Sequence, residues 1–295
     1  MGAQKSPDGA IKLGLTHANM RSPPSILVFD SGLGGLTVLR EIERARPDAA
    51  LVYVADDAFF PYGAQEEAAL VERVVALIGT LIADHAPDLV VIACNTASTL
   101  VLPHLRERYA VPFIGTVPAI KPACAASRSK RVSVLGTQAT VKREYTRALI
   151  RDFGQGCEVK LVGSARLAGV AEAALRGEPV DDPAIAAEIA PCFVDEGGRR
   201  TDMIALACTH YPLLQAWLTR LAPWPVAWID PAPAIARRVV DLTGTPAPAS
   251  GPPVRAIFTS GQAPSPALAR ALAQFGIGSE EQPLPELQIG ATRAI

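Results

Sequence analysis

Short apolar runs rich in Val, Ile and Leu alternate with segments that favour helices along most of this chain. Each run is bounded by Gly, Pro or polar residues, which is typical of a strand buried on both faces of a sheet. Alternation of strand and helix with short loops predicts an α/β fold in which parallel sheets are flanked by helices. The predicted strands are 26–29, 51–55, 89–93, 113–114, 131–135, 158–162, 203–207, 226–229 and 254–258. The predicted helices are 36–46, 66–84, 97–109 with a break or bend at Pro103, 141–152, 165–175 and 183–195.

The two halves of the chain repeat the same plan, which predicts an internal duplication. Each half opens on a strand followed by a turn with Gly and Ser or Thr. Each then has a strand that ends in Cys, and each closes with a similar phrase. These features are 30–32, Cys94 and 113–121 in the first half, and 136–137, Cys208 and 228–236 in the second.

Two domains of ordinary size fit the length of 295 residues. We expect the first domain to comprise 25–117 plus 227–268 and to carry Cys94. We expect the second to comprise 118–226 and to carry Cys208. Residues 1–24 are predicted to form a disordered extension.

The composition excludes several classes of protein. With 49% hydrophobic and 19% charged residues the chain can bury large cores, so it is not disordered. A net charge of -1 with scattered Lys and Arg leaves no basic field for nucleic acid. The best apolar stretch, 74–83, is shorter than the roughly 18 residues that a membrane span requires. We also expect no signal peptide, because the first 24 residues lack a continuous apolar core.

The number and spacing of the cysteines favour a reducing compartment and argue against a metal-binding site. Five cysteines, an odd number, without a secretory signal favour the reducing cytoplasm. The chain has no CxxC pair, and Cys208-x-His210 is too short to form a metal site alone, so no metal is expected.

Two of these cysteines, Cys94 and Cys208, directly follow predicted strands. The carboxyl ends of central strands are where α/β sheets bind ligands, so both thiols are candidates for an active site. One thiol from each half predicts a pair that faces one site. Such a pair suits two-base proton transfer at a carbon atom, because an unperturbed thiol titrates near pH 8.5, roughly the working pH.

The chain resembles the glutamate racemases over most of its length. The resemblance is carried by four segments in the order and spacing of that family. Two departures from the family pattern lie in or beside these segments: Phe59-Phe60 replace a polar–apolar pair, and Ala207 stands where Gly is common in the family. The four segments are Phe29-Asp30-Ser31-Gly32-Leu33-Gly34-Gly35-Leu36-Thr37, Pro61-Tyr62-Gly63, Ala93-Cys94-Asn95-Thr96-Ala97-Ser98 and Ala207-Cys208-Thr209-His210-Tyr211-Pro212.

The resemblance implies two α/β domains related by a pseudo-twofold axis, with the active site in the cleft between them. It implies interconversion of L- and D-glutamate without a cofactor, which supplies D-glutamate for peptidoglycan. The residue that matches Cys94 would deprotonate D-glutamate, and the one that matches Cys208 would deprotonate L-glutamate. The expected partner is this small-molecule substrate, and a homodimer is a further possibility.

Other site residues follow from the same matches. Asp30 and His210 are expected to assist the two thiols, although Asp30 could cap a helix and His210 could bond a loop carbonyl. Glu172 matches a family glutamate, but Ser164-Ala165 replaces the Cys-Pro that usually precedes it, so a solvated helix position is the other interpretation. Substrate contacts are expected from hydroxyl, amide and loop groups: Asp30, Ser31, Tyr62, Gly63, Asn95, Thr96, Thr137, Thr140, Thr209 and His210.

Three alternatives remain open from the sequence. The first is a related cofactor-independent racemase that acts on aspartate or a hydantoin, against which the Tyr62-Gly63 and Thr209-His210 segments argue. The second is a one-cysteine decarboxylase on the same scaffold, against which two intact cysteine motifs argue. The third is a non-catalytic regulator, against which the retention of both thiols argues.

Overall fold

The computed structural model describes residues 23–154, 156–248 and 250–278, so nearly all of the predicted N-terminal extension lies outside the described residues. Two parallel sheets flanked by helices make up the fold, as the alternating pattern predicts. In chain order the strands are β1 (Ser25–Asp30), β2 (Ala50–Ala55), β3 (Leu89–Ile92), β4 (Phe113–Gly115), β5 (Arg131–Thr137), β6 (Glu158–Ser164), β7 (Asp195–Glu196), β8 (Arg199–Arg200), β9 (Met203–Ala207), β10 (Ala227–Ile229) and β11 (Arg255–Phe258).

Helices surround both sheets. The longest, α2, begins after Glu66, whose carboxylate accepts a hydrogen bond from the Ala69 N–H at 2.9 Å. None of the described helices is both long and apolar enough to cross a membrane. In chain order the helices are α1 (Leu36–Ala45), α2 (Glu67–His85), α3 (Asn95–Arg108), α4 (Ile120–Ala126), α5 (Gln138–Lys142), α6 (Glu144–Phe153), α7 (Leu167–Leu175), α8 (Asp182–Ile189), α9 (Gln215–Leu221), α10 (Ala232–Thr243) and α11 (Pro266–Ala273).

The strand orders of the two sheets confirm the predicted duplication. The first sheet has the order β11-β2-β1-β3-β4 and the second the order β6-β5-β9-β10. Without β11 the two orders match strand for strand, with β1 equivalent to β5 and β3 equivalent to β9. All pairings within both sheets are parallel, and the strands β1 and β3 are buried almost completely. Burial on both faces explains why these strands are continuous apolar runs.

The chain crosses between the domains twice, in equivalent places. Helix α4 follows β4 of the first sheet but packs against β5, β9 and α6 of the second domain. Helix α10 follows β10 of the second sheet but packs against α1 of the first domain. A cavity of about 460 Å³ lies between the crossovers and is lined by residues on both of them, including Pro118 and Pro233.

The expected boundary at residue 226 therefore falls too early. Strand β10 (Ala227–Ile229) pairs in parallel with β9, so it belongs to the second sheet, and the return to the first domain comes only at α10. A strand of three residues carries too little sequence pattern to show which of two sheets it will join.

Several helices also differ from the prediction. Helix α3 continues through Pro103 to Arg108. The predicted helix 183–195 ends at Ile189, because Pro191 lacks the N–H that a continuing helix needs, and a short 3-10 turn and β7 follow. The segment 141–152 is divided between α5 and α6 at Arg143, whose backbone is extended. No sequence pattern predicted α4, α9, α10, α11 or the hairpin of β7 and β8.

Candidate active site

The strand order places a crevice at the same edge of each sheet. In the first sheet β1 lies between β2 and β3, and the chain leaves β1 and β3 toward opposite sides, which opens a crevice at their carboxyl ends. Asp30 ends β1 and Cys94 lies two residues after β3. In the second sheet Thr137 ends β5 and Cys208 directly follows β9. Equivalent ends of the two sheets thus present equivalent sets of polar residues.

The two crevices form one cavity between the domains, and both thiols line it. Asp30 and Thr140 are not on its wall but bond to residues that are. The sequence analysis did not identify Phe60, Pro61 and Ala168 as lining residues. Phe60-Pro61 directly precedes the Tyr62-Gly63 segment, and this position next to a predicted site segment could have indicated that both residues line the cavity. The lining residues predicted from sequence are Ser31, Tyr62, Gly63, Cys94, Asn95, Thr96, Thr137, Cys208, Thr209 and His210.

Asp30 is a buried carboxylate next to Cys94. Its Oδ2 accepts a hydrogen bond from the Gly32 N–H at 3.2 Å, and its Oδ1 accepts one from the Thr209 hydroxyl at 3.0 Å. Burial raises the pKa of Asp30 to about 6, although the charge of His210 and these hydrogen bonds oppose the rise. Burial and the nearby Asp30 charge raise the pKa of Cys94 to about 12. Cys94 is therefore a neutral thiol in the unliganded protein.

Cys208 has a different neighbour. Its Sγ lies 3.8 Å from Nδ1 of His210, and Nε2 of the same ring lies 2.9 Å from Oε1 of Glu172. Burial lowers the pKa of His210, but the hydrogen bonds to Cys208 and Glu172 outweigh it and hold that pKa well above its ordinary value. Burial raises the pKa of Glu172, but bonding to His210 and to the Leu33 N–H leaves it below its ordinary value. Both shifts favour the imidazolium form of His210, paired with the buried carboxylate of Glu172.

Hydroxyl groups from both domains meet beside the cavity. The Thr96 hydroxyl lies 3.1 Å from that of Thr137 and 3.4 Å from that of Thr140, and the last two are 2.9 Å apart. Beside them, Asn95 is buried, yet neither its Oδ1 nor its Nδ2 has a hydrogen-bond partner among the described residues. A buried amide without a partner is costly, so its position at the cavity wall marks a place for a polar ligand.

Tyr62 is held in the wall by a buried acid that the sequence analysis did not identify. Its hydroxyl donates to Asp56 Oδ2 at 2.6 Å, and Arg73 bonds both oxygens of the same carboxylate at 2.8 and 2.6 Å. The ring of Phe60 lies 5.3 Å from the ring of His210, and Arg73 lies 4.9 Å over the ring of Phe59. The Phe59-Phe60 pair that departs from the family pattern thus packs against two groups of the site.

A family profile described as Asp/Glu/Hydantoin racemase matches residues 26–239, which span both crevices. The chain belongs to this family. A glutamate racemase of Brucella anthropi is 61% identical over 74% of this chain and 78% of its own length. A glutamate racemase of Sinorhizobium fredii is 56% identical over 85% of this chain and 95% of its own length.

Solved structures of the family have the same fold. The Escherichia coli glutamate racemase, solved in complex with L-glutamate and the activator UDP-MurNAc-Ala, superposes with a TM-score of 0.78. It is 39% identical, and the match covers 86% of this chain and 96% of that one. The isoform RacE1 of Bacillus anthracis superposes with a TM-score of 0.76 at 25% identity, covering 90% and 99% of the two chains. These relatives make the chain an isomerase of the racemase class.

The cavity of this family member is small. Its volume is about 20 Å³, and roughly 10–15 Å³ is needed to hold one water molecule. A dicarboxylic amino acid is far larger, so the cavity must widen before such a substrate can bind. Within residues 23–154, 156–248 and 250–278, no group of three or more His, Cys, Asp and Glu side chains is arranged to hold a metal ion.

Proposed function

We propose that this protein interconverts L- and D-glutamate through two thiols that act as acid and base. One observation carries the proposal: a single cavity between the domains is lined by Cys94 of the first domain and by Cys208 of the second. The glutamate racemases of Brucella and Sinorhizobium, which cover most of this chain, support the choice of substrate.

The reaction moves one proton out of the substrate and one proton in. With L-glutamate bound, the Cys208 thiolate takes the Cα proton and becomes a thiol, and the electron pair of the C–H bond delocalises into the α-carboxylate. The Cys94 thiol then gives its proton to the opposite face of Cα and becomes a thiolate. D-glutamate forms, and proton exchange with water restores the starting state. The reverse reaction exchanges the roles of the two thiols.

His210 and Asp30 give the two thiols different neighbours. The His210 imidazolium, 3.8 Å from Cys208, can donate a hydrogen bond to the thiolate that takes the Cα proton of L-glutamate. Glu172 keeps the imidazolium paired and oriented on its other nitrogen. Near Cys94, the ionised Asp30 attracts the substrate ammonium, and the arrival of that positive charge favours the Cys94 thiolate needed for D-glutamate.

Polar groups of the cavity wall bind the two carboxylates of glutamate. The unpaired amide of Asn95 supports this role, since its Nδ2 can donate to a carboxylate oxygen that enters the cavity. Asn95 and Thr96 also begin α3, whose first N–H groups favour an anion. Hydroxyl and loop groups complete the set: Ser31, Tyr62, Gly63, Thr137, Thr140 and Thr209.

The cellular role follows from the product. D-glutamate made by this reaction would supply peptidoglycan synthesis. Both thiols must stay reduced to transfer protons, and Cys94, Cys124, Cys157, Cys192 and Cys208 are all free, which supports a place in the reducing cytoplasm. A homodimer stays a prediction that sedimentation of the purified protein would test.

The deciding experiment follows D-glutamate formation from pure L-glutamate by chiral chromatography. The protein is first dialysed against chelator and a carbonyl-trapping reagent, and no cofactor is added. We expect full interconversion, with L-aspartate turned over far more slowly. Activity only after addition of metal or pyridoxal phosphate would overturn the cofactor-independent mechanism. Preference for aspartate or a hydantoin would reassign the substrate, and release of carbon dioxide would indicate the decarboxylase alternative.

A further inference from the structure

The carboxylate of Glu172 connects three parts of the molecule. Its Oε1 accepts a hydrogen bond from the backbone N–H of Leu33 at 2.6 Å and lies 2.9 Å from Nε2 of His210. Its Oε2 accepts a hydrogen bond from Arg176 at 3.0 Å. Of these three partners only Arg176 is exposed, with 42% of its side chain accessible against 7% for Glu172. A buried carboxylate is thus reached from solvent by one arginine.

The contact joins the two domains at the reacting thiol. Glu172 lies on α7 of the second domain, whereas Leu33 lies in the glycine-rich loop that follows Asp30 in the first domain. A Cβ atom at Gly32 would collide with Glu172 Oε1, and one at Gly34 would collide with the imidazole of His210. The loop therefore leaves room for both side chains to enter from the other domain.

The two carboxylate oxygens of Glu172 bond to different partners, so the contacts depend on the orientation of the carboxylate. Oε1 serves Leu33 and His210 together, while Oε2 is bonded by Arg176. Arg176 directly follows α7 and lies four residues after Glu172, which is the spacing at which side chains on a helix meet. A guanidinium on Oε2 fixes the rotation of the carboxylate and thereby the direction in which Oε1 points.

We propose that Arg176 is a positioning residue for the proposed racemisation: it holds Glu172 so that the carboxylate orients His210 beside Cys208 in the closed cleft. This inference rests on the proposed function. The competing interpretation is a surface ion pair that stabilises the end of α7 slightly and has no effect on turnover.

The chain offers a matched control for the competing interpretation. Arg220 on α9 bonds both oxygens of Asp182 at 2.6 and 2.8 Å, in the same domain. Both side chains of this pair are exposed, at 55% and 40%, and neither lines the cavity. Arg220→Met removes an arginine–carboxylate pair of the same kind without a connection to the site.

The test measures kcat and KM for both enantiomers in the full-length protein with Arg176→Met, Arg176→Lys, Arg220→Met, Glu172→Gln and the double variant Arg176→Met with Glu172→Gln. We expect Arg176→Met to lower kcat/KM roughly tenfold with little change in Tm, because a small misplacement of a group at the site is costly. Arg176→Lys should keep most of the rate, and Arg220→Met should keep all of it. In the Glu172→Gln background Arg176→Met should have no further effect, since Arg176 acts through Glu172.

A second measurement distinguishes a positioning role of Arg176 from a purely stabilising one. Arg176→Ala leaves an open space at the surface, and added methylguanidinium should restore part of the lost rate, whereas an equal concentration of sodium chloride should not. Normal turnover in Arg176→Met, or an equal loss with and without Glu172, would overturn the inference while leaving the proposed function intact. A wild-type protein that does not racemise glutamate would overturn both.

Discussion

Sγ of Cys208 lies 3.8 Å from Nδ1 of His210, an imidazolium, whereas Cys94 lies beside the carboxylate of Asp30. The two halves of a duplicated fold thus surround equivalent thiols with opposite charges. The proposed two-thiol reaction needs one thiolate and one thiol at a time, and the two thiols enter it from unlike surroundings.

The first prediction is that the two thiols differ in reactivity. A small haloacetamide at pH 7 should alkylate Cys208 before Cys94, because Cys208 lies beside the His210 ring whereas Cys94, with a pKa of about 12, stays protonated. Peptide mass spectrometry would follow both sites over time. His210→Asn should slow alkylation of Cys208 and leave that of Cys94 nearly unchanged. Equal rates at the two sites in the unmodified protein would contradict the asymmetry.

The second prediction is that both cysteines are required for turnover. Cys94→Ala and Cys208→Ala should each lower kcat/KM by roughly three orders of magnitude or more, because each removes the acid or base on one face of Cα. Cys192→Ala is the control, since Cys192 is buried in the second domain and does not line the cavity. Cys124→Ala and Cys157→Ala are further controls. All three should stay within about tenfold, with losses that follow stability. Near-normal turnover without Cys94 or Cys208 would exclude the two-thiol mechanism.

The third prediction concerns pH and the origin of the new proton. A plot of kcat/KM against pH should be bell-shaped, because activity needs one thiolate and one thiol, and its limbs belong to the coupled pair. The acid limb should extend through about pH 6, where Asp30 takes up a proton and loses the charge that attracts the substrate ammonium. The profile should be the same in both directions, because the enantiomers have equal free energies.

The same mechanism requires the returned proton to come from solvent. In deuterium oxide the product enantiomer should carry deuterium at Cα, since a thiol proton exchanges with water before it is transferred. Proton NMR measures the replacement of the Cα hydrogen by deuterium directly, as a loss of the Cα proton signal. Product that keeps its original hydrogen, or a rate that still rises at about pH 11, would rule out transfer between two thiols.

The fourth prediction is that the ionised Asp30 side chain lowers the free energy of unfolding. Its folded pKa of about 6 exceeds the ordinary value of 3.8, so ionisation of Asp30 opposes folding. This cost is absent below about pH 4, grows between about pH 4 and 6, and is complete above pH 6. A rise from 3.8 to about 6 corresponds to about 3 kcal/mol. We expect Asp30→Asn to raise the free energy of unfolding at pH 7.5 by about 1–2 kcal/mol, since the amide keeps only part of the hydrogen bonding.

Denaturant unfolding at pH 7.5 and pH 4 measures this difference. The gain from Asp30→Asn should be lost at the lower pH, where the variant should be slightly less stable than the parent because only the lost hydrogen bonding remains, while racemisation at pH 7.5 should fall strongly. An asparagine variant that is less stable than the parent at both pH values would show that hydrogen bonding, rather than charge, decides the stability at this position.

The sequence by itself determined the parts of this protein that depend on local pattern. Short apolar runs bounded by Gly, Pro or polar residues are typical of central strands, and a residue directly after such a strand lies at the carboxyl edge of the sheet. Cys94 and Cys208 were therefore identifiable as candidate site residues before any pairing of strands was known, and both line the cavity. The repeated order of turn, cysteine and closing phrase likewise determined the duplication.

Only the tertiary structure decided which distant groups complete the surroundings of the thiols that Asp30 and His210 were expected to assist. Glu172 is 38 residues from His210 within the second domain, and Thr96 is 41 residues from Thr137 in the other domain, so these contacts form only in the folded chain. The membership of β10 in the second sheet and the exchange of α4 and α10 between domains are also long-range outcomes. Local sequence sets strand and helix propensity, but burial and charge at a site are sums over residues that meet only in the folded chain, and these sums give Cys94 a carboxylate and Cys208 an imidazolium as neighbour.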